Sequence, residues 1–358
     1  MRLTRLVVQD VRVIRSVALE LHGQLNVLVG GNGAGKSSLL EAVHLLGTGR
    51  SFRTREIEKV VRAGAQELSV FGEGVDPRGT FRRVGVTKGM AGARIRLDGE
   101  DVRGVASIAR VIPLAVFGPE SLEVVEGAPE RRRALVDWAL FHVEQGYGEG
   151  LQRYRRAVRQ RNALLRASPM RREARIWEQE LVQEGERLDR WRTSYIGNLA
   201  PRLSTLLSDL WPRSSQVHYR RGWASGMTLQ EALERSWEAD RARGWTGPGA
   251  HAADLIFRIG DRQARDVLSR GERKIFVAAT LLAHVAYIRD RCGNAPIILA
   301  DDIPSELDEG GQRWFLERLR LTGSQIFATA LQPEFFSLPP SVDHKMFHVE
   351  RGVVRNLL

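Results

Sequence analysis

Gly30-Gly31-Asn32-Gly33-Ala34-Gly35-Lys36-Ser37 combines closely spaced glycines with a lysine and a hydroxyl in the pattern that cradles phosphate. Leu25, Val27, Leu28 and Val29 precede it as a short apolar run with the character of a buried strand, and Ser38 to Leu46 after it predicts a helix. Strand, glycine loop and helix together are the context a P-loop requires. Glycines let several backbone N–H groups turn toward phosphate oxygens at the positive end of the following helix. Lys36 is placed to bridge the β- and γ-phosphates and the Ser37 hydroxyl to ligate Mg²⁺. The expected nucleotide contacts are therefore Gly30, Gly31, Asn32, Gly33, Ala34, Gly35, Lys36, Ser37 and Ser38, and the expected ligand is a nucleoside triphosphate.

Two further clusters lie in the second half of the chain. Ile297-Ile298-Leu299-Ala300 is an apolar run closed by Asp301 and Asp302. A carboxylate at the end of a buried strand suits Mg²⁺ held beside phosphates, which assigns Asp301 to the metal. Asp302, expected on the opposite side of the strand end, is the candidate to orient or deprotonate an attacking water. Upstream, Leu268-Ser269-Arg270-Gly271-Glu272 opens a strongly apolar helix from Ile275 to Ile288. Ser269 and Gly271 at a helix N-terminus offer a hydroxyl, backbone donors and a positive dipole end, a second anion site.

The rest of the chain must position these groups. Its 358 residues suffice for two domains or for one α/β domain with an insertion. The single cysteine, Cys292, excludes an intrachain disulfide and points to a reducing, cytoplasmic setting. The N-terminus begins an alternating strand pattern rather than a signal peptide, and no stretch reaches the ~18 apolar residues of a membrane span. A formal net charge of +11 implies a polyanionic partner, nucleic acid or an anionic membrane face. Nearly all of that charge is arginine, a bias that a GC-rich genome also produces, so its sign is more informative than the residue type.

Arg2 to Gln9 and Val13 to Leu21 alternate as a two-stranded ribbon, and Gln66 to Gly72, Thr80 to Thr87 and Ala93 to Leu97 predict short antiparallel strands of a β wing. Gly47 to Arg55 is a basic turn, either solvated or in contact with nucleotide or nucleic acid. Val111 to Phe117 has strand length. From about Pro129 the pattern is helical, through Leu151 to Arg166 and Ala174 to Leu210, with breaks expected at Pro201 and Pro212. The tryptophans between Trp138 and Trp245 are expected to anchor the core of this lobe, and Trp223 to Gly249 to be a mobile return connection. Leu255 to Ile259 and Gln325 to Ala330 predict buried strands. The expected division is 1–118 for the first half of the ATPase domain, 119–250 for an inserted helical lobe and 251–358 for the second half.

Leu268-Ser269-Arg270-Gly271-Glu272 resembles the Leu-Ser-Gly-Gly-Gln signature of ABC-type ATPases, with Arg270 and Glu272 departing from it. In that class the signature meets the γ-phosphate held by a partner's P-loop, so the resemblance implies a homodimer with two ATP molecules at its interface. A β wing and a moderate helical lobe between P-loop and signature resemble the RecF family, and further stretches carry the resemblance. They are Pro119-Glu120-Ser121-Leu122-Glu123-Val124-Val125-Glu126-Gly127-Ala128-Pro129-Glu130-Arg131-Arg132-Arg133 closing at Asp137, Gly49-Arg50-Ser51-Phe52-Arg53-Thr54, Leu40-Glu41-Ala42, and Leu299-Ala300-Asp301-Asp302-Ile303-Pro304-Ser305-Glu306-Leu307-Asp308. Leu135 replaces an aromatic residue usual in the family. Ala328-Thr329-Ala330-Leu331 lacks the switch histidine of ABC transporters, and Asp302 stands where transporters have glutamate. The resemblance implies an α/β fold of the ABC-ATPase head type and an ATP- and Mg²⁺-dependent ATPase of recombinational repair. It further implies binding to DNA at single-stranded gaps and junctions, and action with RecR and RecO in loading RecA. A nucleotide-gated scaffold with negligible ATPase and a transport-type ATPase subunit are the competing expectations.

Overall fold

The computed structural model describes residues 1–167, 171–208, 210–211, 213–302, 307–333 and 343–357. Ile303 to Glu306 of the stretch after the paired aspartates, and Pro212, lie outside the described residues. The chain forms two compact units, Met1–Ser121 with Ile288–Leu358, and Leu122–Tyr287.

In chain order the elements are β1 (Arg2–Val11), β2 (Ile14–Glu20), β3 (Leu25–Val29), α1 (Lys36–Thr48), β4 (Glu67–Val75), β5 (Phe81–Gly89), β6 (Gly92–Leu97), β7 (Glu100–Asp101), α2 (Ala106–Val111) and β8 (Leu114–Phe117). There follow α3 (Glu123–Glu126), α4 (Pro129–Val143), α5 (Tyr147–Arg166), α6 (Arg171–Ser208), β9 (Ser215–Arg220), α7 (Leu229–Arg243), β10 (Asp254–Ile259), β11 (Arg262–Gln263), α8 (Ala264–Val267) and α9 (Arg270–Cys292). The last are β12 (Ile297–Ala300), α10 (Glu309–Leu321), β13 (Ile326–Ala330), β14 (His344–Glu350) and β15 (Val353–Asn356).

The first unit has two six-stranded sheets. The expected ribbon and wing are continuous, because β1 pairs with β2 on one side and β4 on the other, giving the order β2-β1-β4-β5-β6-β7. The second sheet runs β15-β14-β3-β13-β12-β8, parallel apart from β15. Helix α1 contacts β1, β4 and β5 of one sheet and β8 and β13 of the other. Ten of its thirteen residues are consequently buried, and it carries apolar side chains on several faces instead of a single stripe. Leu39, Leu40, Val43, Leu45 and Leu46 join the strands in one core. Each fully buried aliphatic side chain of that size contributes about 1.5–3 kcal/mol.

The second unit is helical around the three-stranded sheet β11-β10-β9. Its interior uses arginine. Arg161, with no exposed surface, bonds Glu178 at 3.0 Å, Asp240 at 2.9 Å and the Thr246 hydroxyl at 2.9 Å. Arg132 holds both Asp254 oxygens at 2.7 and 3.1 Å, and Arg192 donates to Asp137 at 2.7 Å and to the Ala250 carbonyl at 2.6 Å. Buried charges persist where they are paired and hydrogen-bonded in this way.

Several expectations are corrected here. Pro201 does not break α6, which continues through it to Ser208. The carbonyl that proline deprives of its helical donor belongs to Gly197, on the exposed side, while Leu199, Leu203 and Leu207 bury the opposite face. Trp223 to Gly249 is no loose connection but holds α7, opened by a capping box in which Glu231 N–H donates to Thr228 Oγ1 and Thr228 N–H to Glu231. Of the lobe tryptophans only Trp223 and Trp237 are buried, and Trp245 is 47% exposed. Guanidinium groups lie over the rings of Trp177, Trp191, Trp223, Trp237 and Trp245, cation–π contacts of which the one on Trp237 is made by the fully buried Arg161. The second division falls after Tyr287 rather than at 250, so residues 251–287, with Ser269 and Gly271, cluster with the lobe through β10 pairing to β9 and α4.

His284 of α9 is fully buried, with its Nδ1 hydrogen-bonded to the Tyr195 hydroxyl of α6. Burial lowers its pKa from 6.5 to about 3. The unfolded chain therefore takes a proton that the folded unit refuses, so stability from this site is complete above pH 6.5 and falls as pH drops toward 3. Thermal melts between pH 7 and 4 should show a falling midpoint, with a slope from this group of at most about 1.4 kcal/mol per pH unit. The slope should be shallower in His284→Gln, and an equal slope in that variant would assign the acid sensitivity to other groups.

Candidate nucleotide-binding site

β3 ends at Val29, and the chain reverses at Gly30 so close to β14 that an added Cβ would stand 2.1 Å from the Val349 carbonyl oxygen. Only glycine fits there. Gly35, at φ 116, caps α1 without a side-chain hydrogen bond, and no acidic residue occupies the first turn. The first amides of α1 thus keep their donor capacity and the positive end of the dipole for an outside anion. Gly31, Asn32 and Gly33 are exposed, whereas the Ala34 carbonyl is held from behind by Gly352 N–H at 2.8 Å, in the turn joining β14 to β15.

Lys36 folds back over the loop, donating from Nζ to the carbonyls of Gly30 at 2.7 Å and Gly31 at 2.9 Å. Burial lowers its pKa, and the charges of Asp302 and then Asp301 oppose that shift. Both carboxylates therefore act on the same ammonium. β12 stops at Ala300, and Asp302 adopts a left-handed backbone at φ 53. Strand alternation does not extend to a residue outside the strand.

Asp301 Oδ1 accepts from Ser37 Oγ at 3.0 Å and from Thr329 Oγ1 at 2.8 Å. Thr329 Oγ1 in turn accepts Asp302 N–H at 2.7 Å. A serine hydroxyl and a carboxylate brought into contact are hard oxygen donors, and Mg²⁺ typically binds through one or two such protein ligands with phosphates and water completing its shell. The residues present fit Mg²⁺-nucleotide, with Ser37 and Asp301 as the protein ligands and the P-loop amides and Lys36 for the phosphates. Asp301 also lines a cavity of about 360 Å³ with Phe52, Arg53, Pro119 and Glu120. The basic turn from Gly47 to Arg55 is anchored there. Ser51 hydrogen-bonds the buried Glu41 of α1, whose carboxylate is gripped by Arg12 at 2.8 and 2.9 Å.

Ser269 and Gly271 are exposed in the second unit, at the start of α9. Ser269 N–H donates to Glu272 at 2.8 Å and Glu272 N–H to Ser269 Oγ at 3.3 Å, a capping box that lowers the Glu272 pKa, first through the Ser269 backbone bond. A Cβ on Gly271 would meet nothing within 4 Å, so the chain's own packing does not require glycine there. Thr329 and Arg12 were not foreseen as contributors, whereas Glu41 and Ser51 lie in stretches that carried the family resemblance. Thr329 had a signal, being the one polar side chain in Ile326-Phe327-Ala328-Thr329-Ala330.

Lys36→Met should weaken binding of a fluorescent ATP analogue at least about tenfold, the loss of one hydrogen bond to a charged group. Unchanged affinity in a titration would remove the lysine from the phosphate site.

A family model for the RecF/RecN/SMC N terminal domain matches residues 2–355. A protein of Thioalkalivibrio sulfidiphilus named DNA replication and repair protein RecF is 38% identical over 359 residues, covering 99% of each chain. One of the same name from Edwardsiella ictaluri is 36% identical over 356 residues, again covering 99% of each. Among solved structures, the recombination mediator protein RecF in its ATPrS form superposes with a TM-score of 0.89 at 24% identity, over 99% of this chain and 98% of that one. An Smc head bound to the C-winged helix domain of ScpA superposes with a TM-score of 0.60 at 16% identity, over 100% and 98%. The two structural likenesses show a shared ATPase-head fold, and identity along nearly the full length, with the P-loop and paired aspartates in one site, shows that the chain belongs to the RecF family.

Proposed function

We propose that this chain is an ATP-dependent DNA-binding protein of recombinational repair that dimerises on ATP, holds DNA at single-stranded gaps and junctions, and parts on slow hydrolysis. The observation that carries it is the division of labour between the units. Ser37, Asp301 and Lys36 converge in one, whereas Ser269 and Gly271 offer an exposed helix N-terminus in the other. A second copy that presented Ser269 and Gly271 to the γ-phosphate would complete the site, and the bare surface at Gly271 would admit it. The Glu272 carboxylate that now caps α9 would have to yield, since two anions compete for the same amides. Lys36 offsets charge on the transferred phosphate, Asp301 and Ser37 hold Mg²⁺, and Asp302 orients or deprotonates the water. Bound Mg²⁺ supplies charge neutralisation at the phosphates.

The net charge of +11 supports a nucleic-acid partner, and exposed arginines on helix α5 support that helix as the proposed contact surface. Arg159 and Arg166 are exposed along it, as are Arg155, which pairs with Asp137 at 3.3 Å, and Arg156, which lies over the Trp177 ring. Such a row suits phosphate contacts, which position a protein on DNA without reading its sequence. RecR and RecO are the proposed pathway partners, from the RecFOR pathway of the solved relative, with RecA loaded downstream. A nucleotide-gated scaffold is the second reading, favoured by Ala330 and Leu331 at the end of β13, which supply no switch imidazole.

In analytical ultracentrifugation, a non-hydrolysable ATP analogue with Mg²⁺ should convert monomer to dimer. Ser269→Arg should bind the same analogue yet stay monomeric. Monomer throughout in the parent chain sinks the closing mechanism, and a dimer of the variant sinks the role given to Ser269. In gel shifts on gapped DNA, affinity should fall about 10²-fold or more between 50 and 200 mM salt. A flat response would exclude backbone binding. Steady-state ATPase that rises with gapped DNA, and falls in Asp302→Asn, separates the repair ATPase from the scaffold.

A further inference from the structure

Thr329 lies in β13, the strand that separates β3, which carries the P-loop, from β12, which leads to the paired aspartates. Its side chain is fully buried. One hydroxyl makes two bonds of fixed direction. The Asp302 amide can only donate, at 2.7 Å, and the Asp301 carboxylate can only accept, at 2.8 Å, so the Thr329 proton must point at Asp301. Ser37 bonds the same Asp301 Oδ1 at 3.0 Å, and Oδ2 takes part in neither contact.

We propose that Thr329 is a positioning residue for Mg²⁺: it sets the rotation of the Asp301 carboxylate and, through the Asp302 amide, holds the backbone of Asp302 in its left-handed conformation. This deepens the ATPase reading and rests on it. A left-handed backbone costs aspartate less than most residues but more than glycine, and the amide bond to Thr329 helps hold Asp302 there. A carboxylate at a strand end would otherwise rotate freely about its last side-chain torsion. The hydroxyl instead commits Oδ1 before Mg²⁺ arrives, which lowers the reorganisation needed on binding.

Thr329→Val keeps the shape and removes the hydroxyl. The Mg²⁺ concentration giving half-maximal binding of a fluorescent ATP analogue should rise at least about tenfold, one lost hydrogen bond to a charged group. Analogue binding in EDTA should stay unchanged, turnover should fall, and Thr329→Ser should return both Mg²⁺ dependence and turnover to within about threefold of the parent, because it restores the hydroxyl. Parent-like Mg²⁺ dependence in Thr329→Val would overturn the inference. If that variant does not fold in a thermal melt, the pair Thr329→Ala and Thr329→Ser carries the same comparison, and equal Mg²⁺ dependence in the two would overturn it. Absence of any Mg²⁺-dependent nucleotide binding in the parent chain would overturn the ATPase reading itself, a failure visible before any variant is made.

Discussion

The nucleotide site depends on one helix, α1, being buried between two sheets while the amides of its first turn are left without a side-chain cap. Burial fixes the helix axis, and the lack of a competing carboxylate keeps the positive end available. The buried Glu41 adds a second restraint. Gripped by Arg12 from the turn between β1 and β2 and bonded by Ser51 from the basic turn, it ties both to α1. A carboxylate with no exposed surface is costly unless so paired, so the same residues that satisfy it also hold the rim of the site.

Strand order does the remaining positioning. Because β13 lies between β3 and β12, the P-loop and the paired aspartates are two strands apart, and the end of the middle strand must face both. Gly30 N–H reaches the Ala330 carbonyl at 3.3 Å on one side, and Thr329 reaches Asp301 and Asp302 on the other. A parallel sheet gathers its functional groups at the carboxyl ends of its strands, and here neighbouring strands supply the groups that orient one another.

The second unit shows why net charge is a coarse guide. Arg132, Arg161 and Arg192 are spent inside on Asp254, Glu178, Asp240 and Asp137, and others lie over tryptophan rings. Along α5, Arg159 and Arg166 face water, Arg155 pairs with Asp137 and Arg156 lies over Trp177, while Arg161 is buried. The sign of the charge points to a polyanion, but burial and pairing in the fold separate the arginines that build the lobe from those that face water.

Local rules made much of this chain legible. Glycine spacing, a preceding apolar run and a Lys-Ser pair determined the P-loop, because phosphate binding by backbone amides is a property of a few consecutive residues. Alternation determined the ribbon and the wing strands, and the Thr228 to Glu231 capping box was there to be read as the start of α7. What the sequence could not determine was set by contacts between distant segments. The continuity of α6 through Pro201 follows from packing on one face while the other is exposed, and the left-handed backbone of Asp302 lies beyond the point where β12 stops. Thr329 is polar in an apolar strand by sequence alone. Its bonds to residues 27 and 28 positions away exist only because β13 is inserted between β3 and β12, an order that no local pattern encodes.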